Sequence, residues 1–290
     1  MNPTYRSARR EELSLAADIF LTSLAELAQN NGLARPVGYT RESVLPLYEH
    51  LFDTGIFEVA KVAGEMVGIA AGIVRDELFF LAMFWVLPAH KLQGVGRPLL
   101  ERVQRLAEAR GATKRCTWSS IDLPAVATYL KLGLMPAGPI FTFAGPAPRS
   151  ANADLAGQLT TLDENHASAI DHIVRGTPRP AEHAFWKSRH VPGFQLDIQG
   201  RTLGYFYAQN GVIGPAAWLR AEDGALLLES AMAIAGSQAE EIKLIALGLN
   251  QTAIRAASAA RLRLISASHL LLTESFGKLE QYLPSGPGLF

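Results

Sequence analysis

Cysteine is all but missing from this chain. Cys116 is the single example among 290 residues, so no internal disulfide framework and no cysteine-rich metal site can form. Net charge is missing too, because 27 basic residues offset 27 acidic ones. Nothing in that balance draws the chain to nucleic acid or to an anionic membrane, and neither is expected as a partner. No uninterrupted apolar run reaches membrane-spanning length. The opening residues, MNPTYRSARREEL, are polar and lack a signal-peptide core, so a cytoplasmic, bacterial-style soluble protein is expected. Charged residues are few, at 19%, against 49% hydrophobic, which fits large buried cores and argues against disorder. The length favours two domains. His172, His183, Trp186 and His190 lie close in sequence without a carboxylate–histidine spacing; the three histidines read as exposed, and no metal is expected.

One stretch organises the rest. Residues 78–87 form an apolar run that reads as a buried strand, closed by Pro88. A short loop comes next, His90-Lys91-Leu92-Gln93-Gly94-Val95-Gly96. From Arg97 the period changes, with Leu99, Leu100, Val103 and Leu106 at helical spacing. A strand thus enters an amphipathic helix through a glycine-bearing turn. That geometry aims backbone N–H groups and the positive end of a helix dipole at one spot, and two glycines let a phosphate approach.

Around it the chain reads as mixed α/β. A short strand (4–8) precedes helices over 9–29 and 41–52, the second capped by Thr40 and locally distorted at Pro46. Strands over 56–62 and 66–74 make a hairpin across Ala63-Gly64-Glu65. After the central stretch come a strand over 114–119, a helix over 122–132 with Asp122 as N-cap and Pro124 in its first turn, and a strand over 140–143. Residues 145–157 (GPAPRSANADLAG) are the best linker candidate. The same order then repeats: helices over 165–174 and 179–189, a hairpin of 195–198 with 202–208, a strand over 211–218, a helix over 222–235, a strand over 242–247, a helix over 250–262 and a strand at 270–272. Duplication and divergence are expected, with domains over 1–145 and 157–290 joined by a linker at 146–156. Gly211 to Pro215 reads as a bulged central strand.

The first half resembles the GCN5-related N-acetyltransferases (GNATs). The family's cofactor loop runs Arg or Gln, two residues, Gly, one residue, then Gly or Ala, between a strand and a helix. Lys91, Gly94 and Gly96 hold those places, with lysine as a departure, after Val86-Leu87-Pro88. Downstream, Asp122, Ala125, Tyr129, Lys131, Gly133 and Leu134 follow the family's helix pattern, with Asp for Asn and Leu134 for Phe. In the second half Asn250 and Ala253 match, but Ala257 stands at the tyrosine position and the loop after Trp218 has no glycine. The whole resembles bacterial chains with two tandem GNAT-like acyl-CoA N-acyltransferase domains, each a mixed, mostly antiparallel sheet flanked by helices, the second degenerate. A Rossmann reading is discounted, since Gly94 and Gly96 sit mid-domain without the early G-x-G-x-x-G.

The resemblance implies an acetyl-CoA-dependent N-acetyltransferase that passes an acetyl group directly to a primary amine of a small molecule or peptide. The alternative is a noncatalytic acetyl-CoA-binding regulatory module. Val86, Leu87, Lys91, Leu92, Gln93, Gly94, Val95, Gly96, Arg97 and Asp122 are the expected cofactor contacts, and Tyr129 the expected general acid. A backbone N–H near Val86 or Leu87 would polarise the thioester carbonyl. The cofactor's amides would pair with residues 84–87, provided that the strand over 114–119 splays away. No base stands out: Asp76 and Glu77 only flank the strand, and His90 reads as a solvated loop histidine. Cys116 reads as a packed small residue. The acceptor pocket is expected between residues 27–39, the second helix and the second domain, in a monomer or homodimer.

Overall fold

The computed structural model describes residues 2–32, 38–148 and 158–290. The chain forms two compact units, Met1–Thr117 with Asp122–Leu134, and Trp118–Ile121 with Met135–Phe290.

In the first unit strand β1 (Thr4–Ser7) precedes helices α1 (Leu13–Asn30) and α2 (Arg41–Thr54), then strands β2 (Ile56–Val62), β3 (Glu65–Arg75) and β4 (Leu78–Val86). Helix α3 (Gly96–Glu108), strand β5 (Lys114–Ser119) as far as Thr117, and helix α4 (Leu123–Lys131) complete it. The sheet runs β1-β2-β3-β4-β5, antiparallel except for the parallel β4–β5 pair. Thr40 caps α2 through Ser43 N–H, as expected, and α2 runs on through Pro46 to Thr54. Ala63 and Gly64 both take positive φ, 52° and 88°, in the tight turn that joins β2 to β3. Adjacent strand residues face opposite sides of a sheet, and here both sides are covered. Trp85 packs edge-on against Phe20 of α1, ring centroids 5.2 Å apart, while its neighbour Phe84 meets α3 and α4. This two-sided cover explains why β3 and β4 read as apolar runs rather than as alternating strands.

In the second unit the order is β6 (Met135–Pro146), β7 (Leu159–Thr161), α5 (Glu164–Val174), α6 (Pro180–Ser188), β8 (Gly193–Ile198), β9 (Arg201–Gln209) and β10 (Val212–Trp218). Next come α7 (Gly224–Gln238), β11 (Glu241–Leu247), α8 (Gln251–Ala259), β12 (Arg263–Leu272) and β13 (Tyr282–Leu283). The sheet runs β12-β6-β11-β10-β9-β8-β7, and β13 adds to β10. Its core gathers Phe206, Trp218, Leu228, Leu244 and Leu283.

Two placements differ from the sequence reading. The strand read as 140–143, closing the first copy, extends over Met135–Pro146 and lies antiparallel between β11 and β12. Ile140 and Phe143 are buried, the latter in the second unit's core, which gives β6 its place there. Of the expected linker at 146–156, residues 149–156 lie outside the described residues. His183, read as exposed, is fully buried. Its Nε2 lies 2.9 Å from Asp171 Oδ2 and its Nδ1 2.9 Å from the Tyr207 hydroxyl. Asp171 also accepts from Arg179 Nε at 2.6 Å, so the histidine belongs to a buried hydrogen-bonded network.

Candidate active site

Strand β4 carries the site because it changes partners halfway along. From Leu78 to Leu81 it pairs in parallel with β5, and the pairing ends at Leu81↔Thr117. At the same level its register with β3 shifts: Gly72 opposes Leu81 and Ala71 opposes Met83, leaving Ala82 as the extra residue of a bulge. Beyond the bulge β4 stays with β3, and Leu87 N–H donates to Val67 O at 2.8 Å. Hydrogen-bonded pairs alternate along an antiparallel ladder. With Leu87, Trp85 and Met83 turned toward β3, the N–H and C=O groups of Phe84 and Val86 face the side that β5 has left. Among the described residues no strand pairs with them there. Val86 O accepts from Ser23 Oγ of α1 at 3.3 Å.

The loop begins where β4 ends. Leu92 (φ 61°) and Gly94 (φ 80°) both take the left-handed conformation. For leucine that is costly, and its side chain is 93% exposed, so packing does not repay the strain. A Cβ on Gly94 would meet nothing; its glycine serves the backbone angle. Gly96 serves close approach, since a Cβ there would lie 2.9 Å from Phe84 Cζ. Buried Val95 pins the loop's end, accepting from the Tyr5 hydroxyl at 3.2 Å, and Gln93 Nε2 donates back to Ala89 O at 2.7 Å. Val95 is also the N-cap of α3, and it supplies no side-chain acceptor, unlike Thr40, Asp163 and Asn250 at other helices. The first amides of α3 are therefore left for a ligand or water.

The two basic side chains of the loop each meet a carboxylate. Lys91 Nζ pairs with Glu26 of α1, and Arg97 Nε lies 2.8 Å from Glu101 Oε1 one helical turn on. Tyr129 is buried on α4, its ring edge-on to Phe84 with centroids 6.1 Å apart. Phe84 therefore touches both Gly96 and Tyr129 and brings the loop and the tyrosine to one strand position. Burial, and secondarily the Asp122 carboxylate, push the Tyr129 phenol above its ordinary value, so it holds its proton at neutral pH. Asp122 is the N-cap of α4 by backbone conformation, without a side-chain cap bond. Cys116 is buried in the apolar cleft beside Tyr129, Leu100 and Val103.

His90 departs from its reading as a solvated residue: it is half-buried, and its Nδ1 is shielded without a hydrogen-bond partner among the described residues. Glu77 pairs with Lys114, whose hydrogen bond holds the carboxyl below its ordinary range. Sequence reasoning passed over Ser23 and Glu26 of α1 and the hub role of Phe84. A signal was present for the first, since Ser23 lies on the buried stripe of α1 with Ala16, Ile19 and Phe20, where a hydroxyl needs a partner.

The acetyltransferase (GNAT) family model matches residues 24–134, the span that holds β4, the loop and α4. Residues 24–134 are a GNAT domain. No curated protein matches the chain. Among solved structures, a candidate acetyltransferase from Pyrococcus horikoshii is similar over 99% of this chain and 96% of its own, with TM-score 0.80 and 15% identity. A GCN5-related N-acetyltransferase from Sphaerobacter thermophilus is 16% identical over 93% of this chain and 95% of its own, TM-score 0.63. A tandem GNAT protein from the clavulanic acid biosynthesis pathway is 12% identical over 93% and 98%, TM-score 0.60. At such identities the likeness is one of fold: the chain has a GNAT-like fold over both units.

Proposed function

We propose that this GNAT protein is an acetyl-CoA-dependent N-acetyltransferase whose first copy (1–145) is catalytic and whose second (157–290) is a degenerate GNAT-like scaffold. The observation that carries the reading is the half-unpaired edge of β4 running straight into the glycine loop. An extended chain of amides can add to Phe84 and Val86 as a further strand would, which suits the cofactor's pantetheine arm. Its pyrophosphate would then meet the N–H groups from Leu92 to Arg97 at the start of α3. Lys91 and Arg97 supply cationic charge on leaving Glu26 and Glu101. Val86 N–H is the donor for the thioester oxygen, because Leu87 N–H is committed to Val67.

A neutral amine attacks the thioester carbonyl, the carbon–sulfur bond breaks, Tyr129 protonates the departing thiolate, and the proton shed by the new amide nitrogen passes through water and restores the phenol; no covalent enzyme intermediate is needed. The acceptor is a primary amine of a small molecule or peptide, bound near the end of α1 and α2. Part of that wall, residues 33–37, lies outside the described residues. No metal enters this scheme. The test is a thiol-release screen of amines, amino acids, peptides and aminoglycosides with acetyl-CoA. Release that depends on one acceptor class is expected. Tight acetyl-CoA binding with no release from any acceptor would favour the noncatalytic module instead.

A further inference from the structure

The second unit repeats the bulged strand and then fills it. Strand β10 shifts register against β9 between Ile213 and Ala216, at Gly214-Pro215. Its parallel pairing with β11 stops after Val212↔Lys243 and Ile213↔Leu244. This is the arrangement of β4 with β3 and β5, and it leaves the far half of β10 with a free edge. There β13 pairs antiparallel with it, Ala216↔Leu283 and Ala217↔Tyr282.

We propose that the free edge of β10 is a strand-binding groove whose ligand is the chain's own segment 279–283, and that this occupancy closes the second unit to acyl-CoA. The second clause rests on the cofactor reading of the first unit; the first does not. The groove is built for the segment along its whole length. Gln281 Nε2 donates to Trp218 O at 2.9 Å. Asn250 spends its oxygen on capping α8 at Ala253 N–H, 2.9 Å, and its Nδ2 on Tyr282 O at 3.0 Å. The Tyr282 hydroxyl accepts from Arg179 Nη1 at 2.8 Å, and Asp171 and Tyr205 hold that arginine from the other side. Leu279, Gln281, Tyr282 and Leu283 are all buried.

Two glycines fit this ligand. A Cβ on Gly214 would lie 2.7 Å from Pro284 O, and one on Gly277 2.6 Å from Val174 O. Gly277 is left-handed (φ 58°) and turns the chain into the groove, where Lys278 N–H donates to Val174 O at 2.5 Å. At the start of α7, the place of the glycine loop is taken by the turn Ala221–Asp223, which brings Glu222 and Asp223 to the helix N-terminus. Those carboxylates already meet the helix dipole and would repel a pyrophosphate. Asp223 is fixed by Arg201 through contacts of 2.6 and 2.9 Å.

The test cuts the segment free without removing it. A specific protease site is inserted between Glu274 and Ser275, both exposed, in the full chain. After cleavage the fragment 275–290 should co-elute with the body on gel filtration. Excess labelled synthetic peptide of the same residues should exchange into the complex, and a Tyr282→Asp peptide should compete at least 100-fold less well. Saturating acetyl-CoA should not release the fragment. A fragment that elutes alone, or that acetyl-CoA displaces, overturns the proposal. Calorimetry on the uncut chain separates the two readings. One acetyl-CoA per chain supports closure, and two overturn it. None at all removes the first-unit cofactor site and with it the closure clause, while the co-elution result still decides the groove.

Discussion

β4 and β10 pose the same structural problem and receive different answers. Each strand is bulged, each leaves its parallel neighbour after a few pairs, and each then presents unpaired backbone groups. An unpaired buried edge is costly and invites a strand. At β10 the invitation is met within the chain by Tyr282–Leu283. At β4 the described residues supply no such strand, and the chain runs on into a left-handed, glycine-bearing loop instead of a carboxylate-bearing turn. Keeping one gap open beside a helix start that carries no carboxylate concentrates ligand chemistry in the first unit. The second unit turns the same scaffold into stability.

The sharpest way to break this contrast is at Gly94. Gly94→Glu places a carboxylate and a strained left-handed residue in the proposed phosphate path. Acetyl-CoA affinity by calorimetry should fall at least about 100-fold, or ~2.7 kcal/mol. Unchanged affinity removes the loop from the site. Next comes Tyr129→Phe, which should lower turnover by about 100-fold or more while leaving the acetyl-CoA dissociation constant within a few-fold. Because burial raises this phenol, its neutral form persists beyond the ordinary value of about 10, and the wild-type rate should show no alkaline loss from Tyr129 below that pH. Equal turnover in the variant returns Tyr129 to the core.

A third substitution reads the filled gap. Asn250→Ala removes the α8 cap and the bond to Tyr282 O together, an expected loss of about 1–2 kcal/mol in a denaturant titration. Amide exchange at Tyr282 and Leu283 should quicken while acetyl-CoA affinity stays the same. A weakened affinity would mean that the two gaps do not work independently.

What could be seen beforehand divides along the same line. The β4–loop–α3 passage was legible because the period changes from a continuous apolar run to helical spacing across two glycines. The cap at Thr40 and the Ala63-Gly64 turn were legible for equally local reasons. The bulge at Gly214-Pro215 showed in its composition, whereas the one at Ala82 did not, since an alanine in an apolar run carries no mark of register. Strand β6 was read too short, and its place between β11 and β12 depends on partners about a hundred residues away. β13 is two residues long and has no period to detect. His183 looked like a surface residue because a buried polar side chain is invisible until its partners, here Asp171 and Tyr207, are known.

The smallest expected effect tests how the open gap is held between turnovers. Lys91 stands at the loop's first position yet pairs with Glu26, and both side chains are partly exposed. Such a pair contributes at most about 1 kcal/mol. For a pyrophosphate, however, it matters twice: the lysine must leave its partner, and the carboxylate left behind repels the phosphates. Glu26→Gln should therefore tighten acetyl-CoA binding by about three-fold, ~0.65 kcal/mol, and steepen its dependence on salt. Fold stability should hardly change. Glu26 also lies one helical turn beyond Ser23, and Ser23 Oγ touches Val86 O, so the carboxylate lies on the face of α1 that meets the reacting end of β4. If the variant instead loses turnover about 100-fold at unchanged acetyl-CoA affinity, Glu26 is not a counter-ion for Lys91 but the group that takes the amine's proton.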